Sequence, residues 1–234
     1  MPSLSAQKLI RKLRQRKYRW QERLFVAEGP KLIEDLIASG LSPESLWSSN
    51  NFPGSEEIEE DLLSKLSHLS TANQVIGIFP FPKIDASVEN RILILDGIND
   101  PGNLGTLLRT ADWFGFQRVI CTTGTADIYN AKAVQSTMGS LGRLRIDYAS
   151  IPEIQQELVD YQIFIAEMHG QEFNSLSADG LQKLALVMGS ESHGPSADWK
   201  ESGTLITIPR INESGIDSLN VGIAGGILMQ HFAS

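Results

Sequence analysis

The residues that could do chemistry in this sequence fall into three short segments in which glycines accompany polar side chains. The first segment, DPGNLGTLLR, carries Asn103 and Arg109, and the second, GSESHG, begins at Gly189. In the third, the hydrogen-bonding residues Ser218 and Asn220 flank one leucine at the start of the final apolar run. Such residues bind ligands through side-chain hydrogen bonds and, at glycine, through backbone amides that a ligand can approach. No cluster of Cys and His has the spacing of metal ligands, so no metal site is predicted.

Three familiar motifs do not fit these segments. A dinucleotide fingerprint requires G-x-G-x-x-G, and the glycines of the first segment have a different spacing. A P-loop requires Lys followed by Ser or Thr, where this sequence has Asn103 and a leucine. A nucleophile elbow requires G-x-S-x-G, whereas the residue two positions before Ser192 is a serine. The departures disfavour nucleotide-triphosphate chemistry, a nucleotide-dependent oxidoreductase and an esterase.

Each segment also has a purely structural interpretation. Asn103 is placed to cap a helix that carries Arg109 on its surface, and Ser218 or Asn220 could cap the final helix. His193 is interpreted as a loop residue rather than a base. The glycines of the final helix predict a close approach of that helix to another backbone: Gly222, Gly225 and Gly226.

The elements that must position these segments form a regular series from residue 91 onward. Short apolar runs suited to strands buried on both faces occupy 91–96, 118–122, 163–168, 185–190 and 204–209, with 144–149 as a further candidate. Helical segments lie between them at 103–115, 129–138, 152–161, 195–201 and 218–232. The alternation predicts an α/β fold with a mostly parallel sheet and helices on both faces. Ligands of such sheets bind at the carboxyl ends of the strands, where all three polar segments begin.

The region before residue 90 has a different character. It mixes helix and short strand signals, such as the strand LFVAEG (24–29) followed by the helix PKLIEDLIASG (30–40), which has proline first and glycine last. KIDASVEN (83–90) is interpreted as a linker. The sequence therefore predicts a small N-terminal α+β domain at 1–87 and a larger α/β domain at 90–234.

Charge is distributed very unevenly along the chain. The first 23 residues contain eight basic residues and one acidic residue, whereas the remaining 211 contain 12 basic and 27 acidic residues. Such asymmetry favours a basic arm or helix that contacts a polyanion. The alternative is a solvated amphipathic helix with Leu9, Leu13 and Trp20 facing inward. Tyr18 and Trp20 could stack on bases or support the packing of arginines. The basic residues are Lys8, Arg11, Lys12, Arg14, Arg16, Lys17, Arg19 and Arg23.

Bulk properties narrow the class of protein. The 234 residues suffice for one large domain or for a medium domain with a small companion. No apolar run reaches the ~18–20 residues of a membrane span, and the N-terminus lacks an apolar signal core. The single cysteine, Cys121, cannot form an internal disulfide, which favours the reducing cytoplasm.

Taken together, the three polar segments resemble the SpoU-type RNA 2′-O-ribose methyltransferases of the SPOUT superfamily. DPGNLGTLLRTADWFG (100–115), LVMGSESHGPS (186–196) and IPRINESGIDSLNVGIAGGI (208–227) are similar to the three motifs of that family, in order and at its spacing. STMGSLGRLRI (136–146) resembles the segment between the first two motifs. The resemblance covers about residues 90–234.

The resemblance implies a trefoil knot in the C-terminal part and one S-adenosylmethionine pocket where the motifs meet. It implies a homodimer, because family members build the site against a partner subunit. It implies that cofactor contacts come from Gly189, Ile208 and Leu219. It implies that the polar site near the methyl group and the ribose contains Asn103, Arg109, Glu191, Ser218 and Asn220. Arg109 matches the residue that the family treats as catalytic, and our hypothesis is that it binds the target phosphate and orients the 2′-hydroxyl.

The N-terminal region resembles the small substrate-binding domain that is fused to rRNA-directed members of the family. KLRQRKYRWQERLFVAEG (12–29) is similar to the basic start of that domain and to its strand that ends in Glu-Gly. If the match holds, the basic residues of 8–23 grip RNA phosphates, and ribosomal RNA is favoured over transfer RNA as substrate. The alternative from another class is a non-catalytic RNA-binding or ribosome-assembly protein on the same scaffold.

Overall fold

The structure, a computed structural model, describes residues 1–84, 89–177, 180–211 and 218–233. The helices in chain order are α1 Leu4–Lys12, α2 Arg16–Glu22, α3 Pro30–Ala38, α4 Glu60–Leu66, α5 Pro101–Trp113, α6 Ala131–Thr137, α7 Ile151–Glu157 and α8 Val221–Phe232. The strands are β1 Leu24–Glu28, β2 Ser45–Ser48, β3 Glu56–Glu57, β4 Val75–Pro80, β5 Arg91–Asp96, β6 Arg118–Thr122, β7 Arg145–Ala149, β8 Gln162–Glu172, β9 Leu184–Gly189 and β10 Thr204–Thr207.

The chain forms two compact units. The first unit contains Met1–Lys83 and Asp127–Arg143, and the second contains Ile84–Ala126 and Leu144–Ser234. Helix α6 and its flanking residues therefore belong to the first unit, although they follow β6 in the sequence. The division of the chain into domains at 87–90 stays a prediction, and most of the predicted linker, 85–88, lies outside the described residues.

The first unit is built on a four-stranded sheet in the order β1-β4-β2-β3. Strand β4 is antiparallel to both β1 and β2, and the short β3 runs parallel to β2 at the edge. Helix α1 packs on this sheet through Ile10, with Leu13 just beyond its end, in a core that includes Trp47 and Ile76. Burial of these apolar side chains stabilises the helix in the basic segment, because a short helix without a packed apolar face is only marginally stable in water.

The second unit is built on a six-stranded sheet in the order β10-β8-β9-β5-β6-β7. All of its neighbouring strand pairs are parallel, which confirms the predicted parallel α/β sheet. Strand β5 pairs with β6 on one side and with β9 on the other. The chain therefore reverses its direction across the sheet at β5 and β9, and the carboxyl ends of these two strands form the switch point at which such sheets bind ligands.

Helices cover both faces of this sheet. On one face, Ile92 and Ile94 of β5 form a core with Ile154 of α7 and with Trp199. On the other face, Phe164 of β8 stacks on Phe232 of α8, with ring centroids 4.5 Å apart. Because the central strands β5, β6 and β9 are buried on both faces, their sequences read as continuous apolar runs rather than as alternating patterns.

The helix predicted at 195–201 is wrong in extent. The structure has only a 3₁₀ turn at Ala197–Trp199, held by bonds such as Trp199 N to Ser196 O at 3.1 Å. The chain must enter β10 directly afterwards, and at Gly203 it runs against β8: an added Cβ atom there would lie 2.2 Å from the carbonyl oxygen of Ile163. The short distance to the next strand leaves no room for a full α-helix.

Candidate active site

Helix α5 begins earlier than the sequence predicts. Asp100 is its N-cap and accepts a hydrogen bond from Asn103 N at 2.9 Å, and Pro101 occupies the first helical turn, where proline is favoured. The prediction that Asn103 caps this helix is therefore wrong. Because Asp100 takes the capping role, the side chain of Asn103 is available for other contacts in the first turn.

Helix α8 begins later than predicted, at Val221, and Asn220 is its N-cap. The Oδ1 atom of Asn220 accepts hydrogen bonds from Gly222 N at 2.9 Å and from Ile223 N at 3.4 Å. Asn220 thus has the capping role that the sequence allowed for either polar residue, while Ser218 lies two positions before the cap. The predicted third-motif loop, 210–217, lies mostly outside the described residues, since 212–217 are not described.

The same Asn220 side chain joins the three polar segments. Its Nδ2 donates to Glu191 Oε1 at 2.8 Å and to Asn103 Oδ1 at 3.0 Å. Asn103 Nδ2 also donates to Glu191 Oε1, at 3.0 Å. We call Asn103, Glu191 and Asn220 the amide–carboxylate cluster. Three segments far apart in the sequence therefore meet at the carboxyl edge of the parallel sheet, beside the switch point of β5 and β9.

The structure does not join Arg109 or Ser218 to this cluster. Arg109 is exposed on α5 and makes no hydrogen bond or ion pair with any residue that the structure describes. Six positions along an α-helix rotate a side chain to about 120° from its starting direction, so Arg109 and Asn103 occupy different sides of α5. Ser218 is exposed and likewise has no hydrogen bond within the described part of the chain. Both residues are accessible to a ligand.

Two of the three residues predicted to contact a cofactor, Gly189 and Leu219, are close in sequence to members of the cluster, and the third, Ile208, follows the edge strand of the sheet. Gly189 is the last residue of β9, and Ile208 directly follows β10. Leu219 precedes the capping Asn220 and leaves 48% of its surface exposed. A Cβ atom added to Gly189 would lie 2.0 Å from Pro195 N, so only glycine allows the following loop to fold back on the strand end.

The glycines of α8 serve helix packing. An added Cβ at Gly225 would lie 2.4 Å from Leu107 Cδ2, and one at Gly222 would lie 3.2 Å from Thr106 Cγ2. The predicted close approach exists at Gly222 and Gly225, but it is to side chains of α5 rather than to another backbone. At Gly226 an added Cβ would make only an ordinary contact, 3.8 Å from Thr110 Cγ2. The packing fixes Asn220, at the start of α8, against the first turn of α5 that carries Asn103.

Sequence reasoning did not select Asp96, which lies at the centre of this edge. Asp96 ends β5, is 5% exposed, and pairs in register with Gly189 of β9. Its carboxylate accepts hydrogen bonds from Thr122 Oγ1 at 3.0 Å and from Ser196 N at 2.7 Å. The only signal in the sequence is a charged residue that ends an otherwise apolar strand.

The basic N-terminal segment folds into α1 and α2 of the first unit. Seven of its eight predicted RNA-binding residues are exposed, and the eighth, Arg19, is 4% exposed. The guanidinium of Arg19 donates to Asp127 Oδ2 from Nε at 2.8 Å and from Nη2 at 2.6 Å. Arg19 therefore has a structural role in the first unit. The exposed residues are Lys8, Arg11, Lys12, Arg14, Arg16, Lys17 and Arg23.

Of the two roles predicted for the aromatic residues of this segment, the structure shows packing at Trp20, and stacking on bases stays a prediction. Trp20 is half-buried and donates from Nε1 to Asp127 Oδ1 at 3.2 Å, so it supports the packing of Arg19. Tyr18 lies between two lysines, with Lys12 Nζ and Lys17 Nζ at 5.6 and 5.9 Å from its ring centroid. Two of the exposed cations thus lie near one half-buried aromatic ring.

The described ranges contain neither a cluster of metal ligands nor a membrane-spanning helix. Within them, no group of three or more His, Cys, Asp or Glu side chains is placed to hold a metal ion. None of the helices described here has both the length and the apolar character needed to cross a membrane.

Comparison with known families identifies both parts of the chain. Residues 90–230 match the model of the SpoU rRNA Methylase family. Residues 6–77 match the model of the MRM3-like substrate binding domain.

Individual relatives agree with these matches. The chain is 29% identical to the 23S rRNA (guanosine(2553)-2′-O)-methyltransferase RlmP of Bacillus subtilis, over 94% of this chain and 93% of the relative. Among solved structures, a TrmH-family protein from Porphyromonas gingivalis aligns with a TM-score of 0.85 and 32% identity, over 99% and 98% of the two chains. An AdoMet-bound rRNA methyltransferase from Sinorhizobium meliloti aligns with a TM-score of 0.84 and 28% identity, over 99% and 96%.

Proposed function

The chain belongs to the SpoU rRNA methylase family, and we propose that it is an S-adenosylmethionine-dependent methyltransferase of the ribose 2′-hydroxyl in ribosomal RNA. The observation that carries the proposal is the amide–carboxylate cluster. Asn103, Glu191 and Asn220 come from the three family motifs and are joined by hydrogen bonds of 2.8–3.0 Å. A non-catalytic RNA-binding protein would have no need to keep this cluster at the carboxyl edge of the sheet.

The residues around the cluster suit S-adenosylmethionine, which has an apolar aromatic ring and a charged amino-acid end. Leu219 exposes an apolar side chain directly beside the hydrogen-bonding residue Asn220. Gly189, Ile208 and Leu219 would hold the cofactor, largely through backbone groups. The bound cofactor supplies a methyl group on a positively charged sulfur, so the reaction chiefly requires proximity and alignment of the hydroxyl.

We propose that the chain's own residues provide this alignment. The cluster holds Glu191 and Asn220 in fixed positions, with Ser218 exposed two residues away, so that the ribose meets preset hydrogen-bonding groups. Arg109 binds the target phosphate through its planar fork of donors and thereby orients the 2′-hydroxyl. A guanidinium stays protonated in proteins and is therefore a poor base, which favours a positioning role over proton acceptance.

Methyl transfer from labelled S-adenosylmethionine to RNA tests the proposal. Ribosomal RNA from cells that lack the protein should accept label at one or more 2′-hydroxyl groups, while RNA from wild-type cells should not. Mapping of 2′-O-methyl sites then names the nucleotide, and label in transfer RNA alone would favour the tRNA alternative. No transfer to any RNA, or to ribosomal particles, would support the non-catalytic alternative.

Replacement of Arg109 by lysine tests the positioning role. The lysine keeps the positive charge but loses the planar, bidentate geometry, so we expect kcat/KM for RNA to fall by roughly tenfold or more. Binding of S-adenosylmethionine, measured by calorimetry, should change little. Full activity of Arg109→Lys would contradict bidentate phosphate binding.

We propose that the first unit binds the RNA through the exposed cations of α1 and α2. The match of residues 6–77 to a substrate-binding domain supports this role, and so does the surface on which Tyr18 lies between Lys12 and Lys17. Arg19 is left out of this surface because it is buried against Asp127.

Salt dependence measures the contribution of this surface. The double variant Arg16→Gln/Lys17→Gln should bind RNA more weakly, and the slope of log K against log salt should become shallower by about 0.7–0.9 for each phosphate that the protein no longer neutralises. The matched control Lys183→Gln/Lys200→Gln removes two positive charges from the second unit. If both double variants show the same decrease in affinity and slope, the effect belongs to net charge and not to α1 and α2.

We further propose that the protein is a homodimer and that its C-terminal segment is knotted. The outer side of the α5 and α8 layer exposes two large apolar residues, Trp113 at 84% and Ile223 at 58%, which suit a second copy of the chain. The contact of Asn220 with Glu191 brings the last segment onto the loop after β9, as the family knot requires. Sedimentation equilibrium tests the dimer, and a crystal structure that traces residues 204–232 tests the knot.

An RNA substrate of ribosomal origin also agrees with the predicted cytoplasmic location, which fractionation of cells would check.

A further inference from the structure

Asp96 is a buried carboxylate that the proposed mechanism does not use. Burial of such a group is costly unless hydrogen bonds compensate for the lost water. Among the residues that the structure describes, no basic side chain forms an ion pair with Asp96. Its compensation comes instead from one hydroxyl and one backbone amide, Thr122 Oγ1 at 3.0 Å and Ser196 N at 2.7 Å.

The hydrogen bond from Ser196 N closes a loop that carries a member of the cluster. Strand β9 ends at Gly189, directly opposite Asp96 in the sheet. The chain then passes through Glu191 and returns to the Asp96 carboxylate at Ser196 N. The base of the loop is tightly packed, since an added Cβ at Gly189 would meet Pro195 N at 2.0 Å. Both ends of the loop 189–196 therefore lie at Asp96, Gly189 through the pairing of β9 with β5 and Ser196 through the carboxylate.

The other oxygen of the carboxylate fixes the segment that leads to Asn103. Thr122 Oγ1, which donates to Asp96, also accepts from Gly97 N at 3.1 Å. Thr125 Oγ1 accepts from the same amide at 3.2 Å, and Gly97 has a φ of +66° that favours glycine. The turn after β5 is thus set by the same network, a few residues before the cap of α5.

We infer that Asp96 is a positioning residue for methyl transfer, because its carboxylate holds the end of the Glu191 loop directly and, through Thr122, the turn that leads to Asn103. The inference rests on the proposed function, since it assigns to Asp96 the alignment of residues placed in that site. Asp96 itself is assigned no contact with the cofactor or the RNA. Its effect is on the spacing of the cluster, where a shift of about 1 Å can lower a rate by roughly 100-fold.

Asp96→Asn and Thr122→Val test the inference. The side-chain amide introduced by Asp96→Asn carries no charge, and when its oxygen faces Ser196 N its NH2 group faces Thr122 Oγ1, which must then accept instead of donate. The charge-assisted hydrogen bonds to the carboxylate are therefore replaced by weaker neutral ones. Thr122→Val removes the hydroxyl at nearly constant volume, and Thr122→Ser restores it. We expect hydrogen exchange of the amides of 190–196 to accelerate by roughly tenfold or more in Asp96→Asn and in Thr122→Val. We expect kcat to fall on the order of 10- to 100-fold in both, with little change in KM for RNA, and Thr122→Ser to stay near wild type.

Asp160→Asn is the matched control, because Asp160 is exposed just before β8, at the opposite end of the strands. Unchanged exchange in the loop 190–196, or a kcat within about threefold of wild type in folded Asp96→Asn, overturns the inference. If Asp96→Asn does not fold, Thr122→Val decides by the same two measurements. If the wild-type chain transfers no methyl group to any RNA, the proposed function fails, and the exchange comparison alone still decides whether Asp96 holds the loop.

Discussion

Replacement of Asn220 by aspartate should remove most methyl transfer while the helix that Asn220 caps stays intact. The retained Oδ1 atom still accepts from Gly222 N, and aspartate is as good an N-cap as asparagine. The Nδ2 donor becomes an acceptor, however, and it faces Glu191 Oε1 at 2.8 Å and Asn103 Oδ1 at 3.0 Å. Two carboxylates at that distance repel each other. We expect kcat/KM to fall on the order of 100- to 1,000-fold, as for loss of a preorganised donor in other active sites.

Two further variants separate capping from alignment. Asn220→Ala loses both the cap and the donor, so it should be inactive and also less stable by about 1 kcal/mol. Asn130→Asp makes the same chemical change at the N-cap of α6, where Oδ1 accepts from Lys132 N at 2.9 Å, and should leave activity unchanged. Steady-state methyl transfer and thermal melting measure the two properties. An Asn220→Asp protein with wild-type turnover would mean that Asn220 is a cap and nothing more.

The double role of Asn220 shows how much of the site the sequence could predict. The SLN motif indicated hydrogen bonding, and capping and site chemistry were competing explanations for it. One amide satisfies both, because its oxygen bonds to the backbone of α8 while its nitrogen bonds to Glu191. Local patterns cannot reveal this, since Glu191 lies 29 residues away and Asn103 lies 117 residues away.

The fold was predictable where burial determines the local pattern of apolar residues in the sequence. Strands such as β5, RILILD, are apolar between their charged end residues because helices cover both faces of the sheet. Helix ends were less predictable: Asn103 was predicted to cap α5, but Asp100 is an equally favoured cap residue, and the Asp100-Pro101 pair starts the helix earlier. The order of strands, and the membership of residues 127–143 in the first unit, depend on contacts between distant segments. Those contacts leave no periodicity in the sequence.

Arg19 of the basic segment is the clearest case of a residue whose burial could not be predicted from its neighbours in the sequence. Arg19 is one of eight cations within 16 positions, and nothing in that run marks it as buried. Its partner, Asp127, lies 108 residues away in the segment that joins the first unit. The guanidinium also donates from Nη1 to the carbonyl oxygens of Leu13 at 2.7 Å and Arg14 at 2.8 Å. One side chain thus links the turn between α1 and α2 to the residues before α6.

Replacement of Arg19 by methionine should therefore destabilise the first unit strongly. The variant leaves the Asp127 carboxylate buried without its cation, and it leaves the carbonyl oxygens of Leu13 and Arg14 without a donor. Removal of one partner from a buried ion pair typically costs about 3–5 kcal/mol. Hydrogen exchange of amides in the first unit measures this free energy separately from the second unit. The neighbouring exposed cation is the matched control, and Lys17→Met should change stability by about 0.5 kcal/mol or less.

The double variant Arg19→Met/Asp127→Asn tests whether the cost arises from the unpaired charge. The asparagine keeps an acceptor for Trp20 Nε1 and Tyr129 N, which both donate to Asp127 Oδ1 at 3.2 Å, but it carries no charge. The double variant should therefore be less destabilised than the sum of its two single variants, because each single variant breaks the same interaction. Strict additivity would show that Arg19 and Asp127 contribute independently. RNA affinity adds a second criterion. Since Arg19 is buried, the folded fraction of Arg19→Met should bind RNA with the wild-type slope of log K against log salt. A shallower slope would mean that Arg19 does neutralise an RNA phosphate.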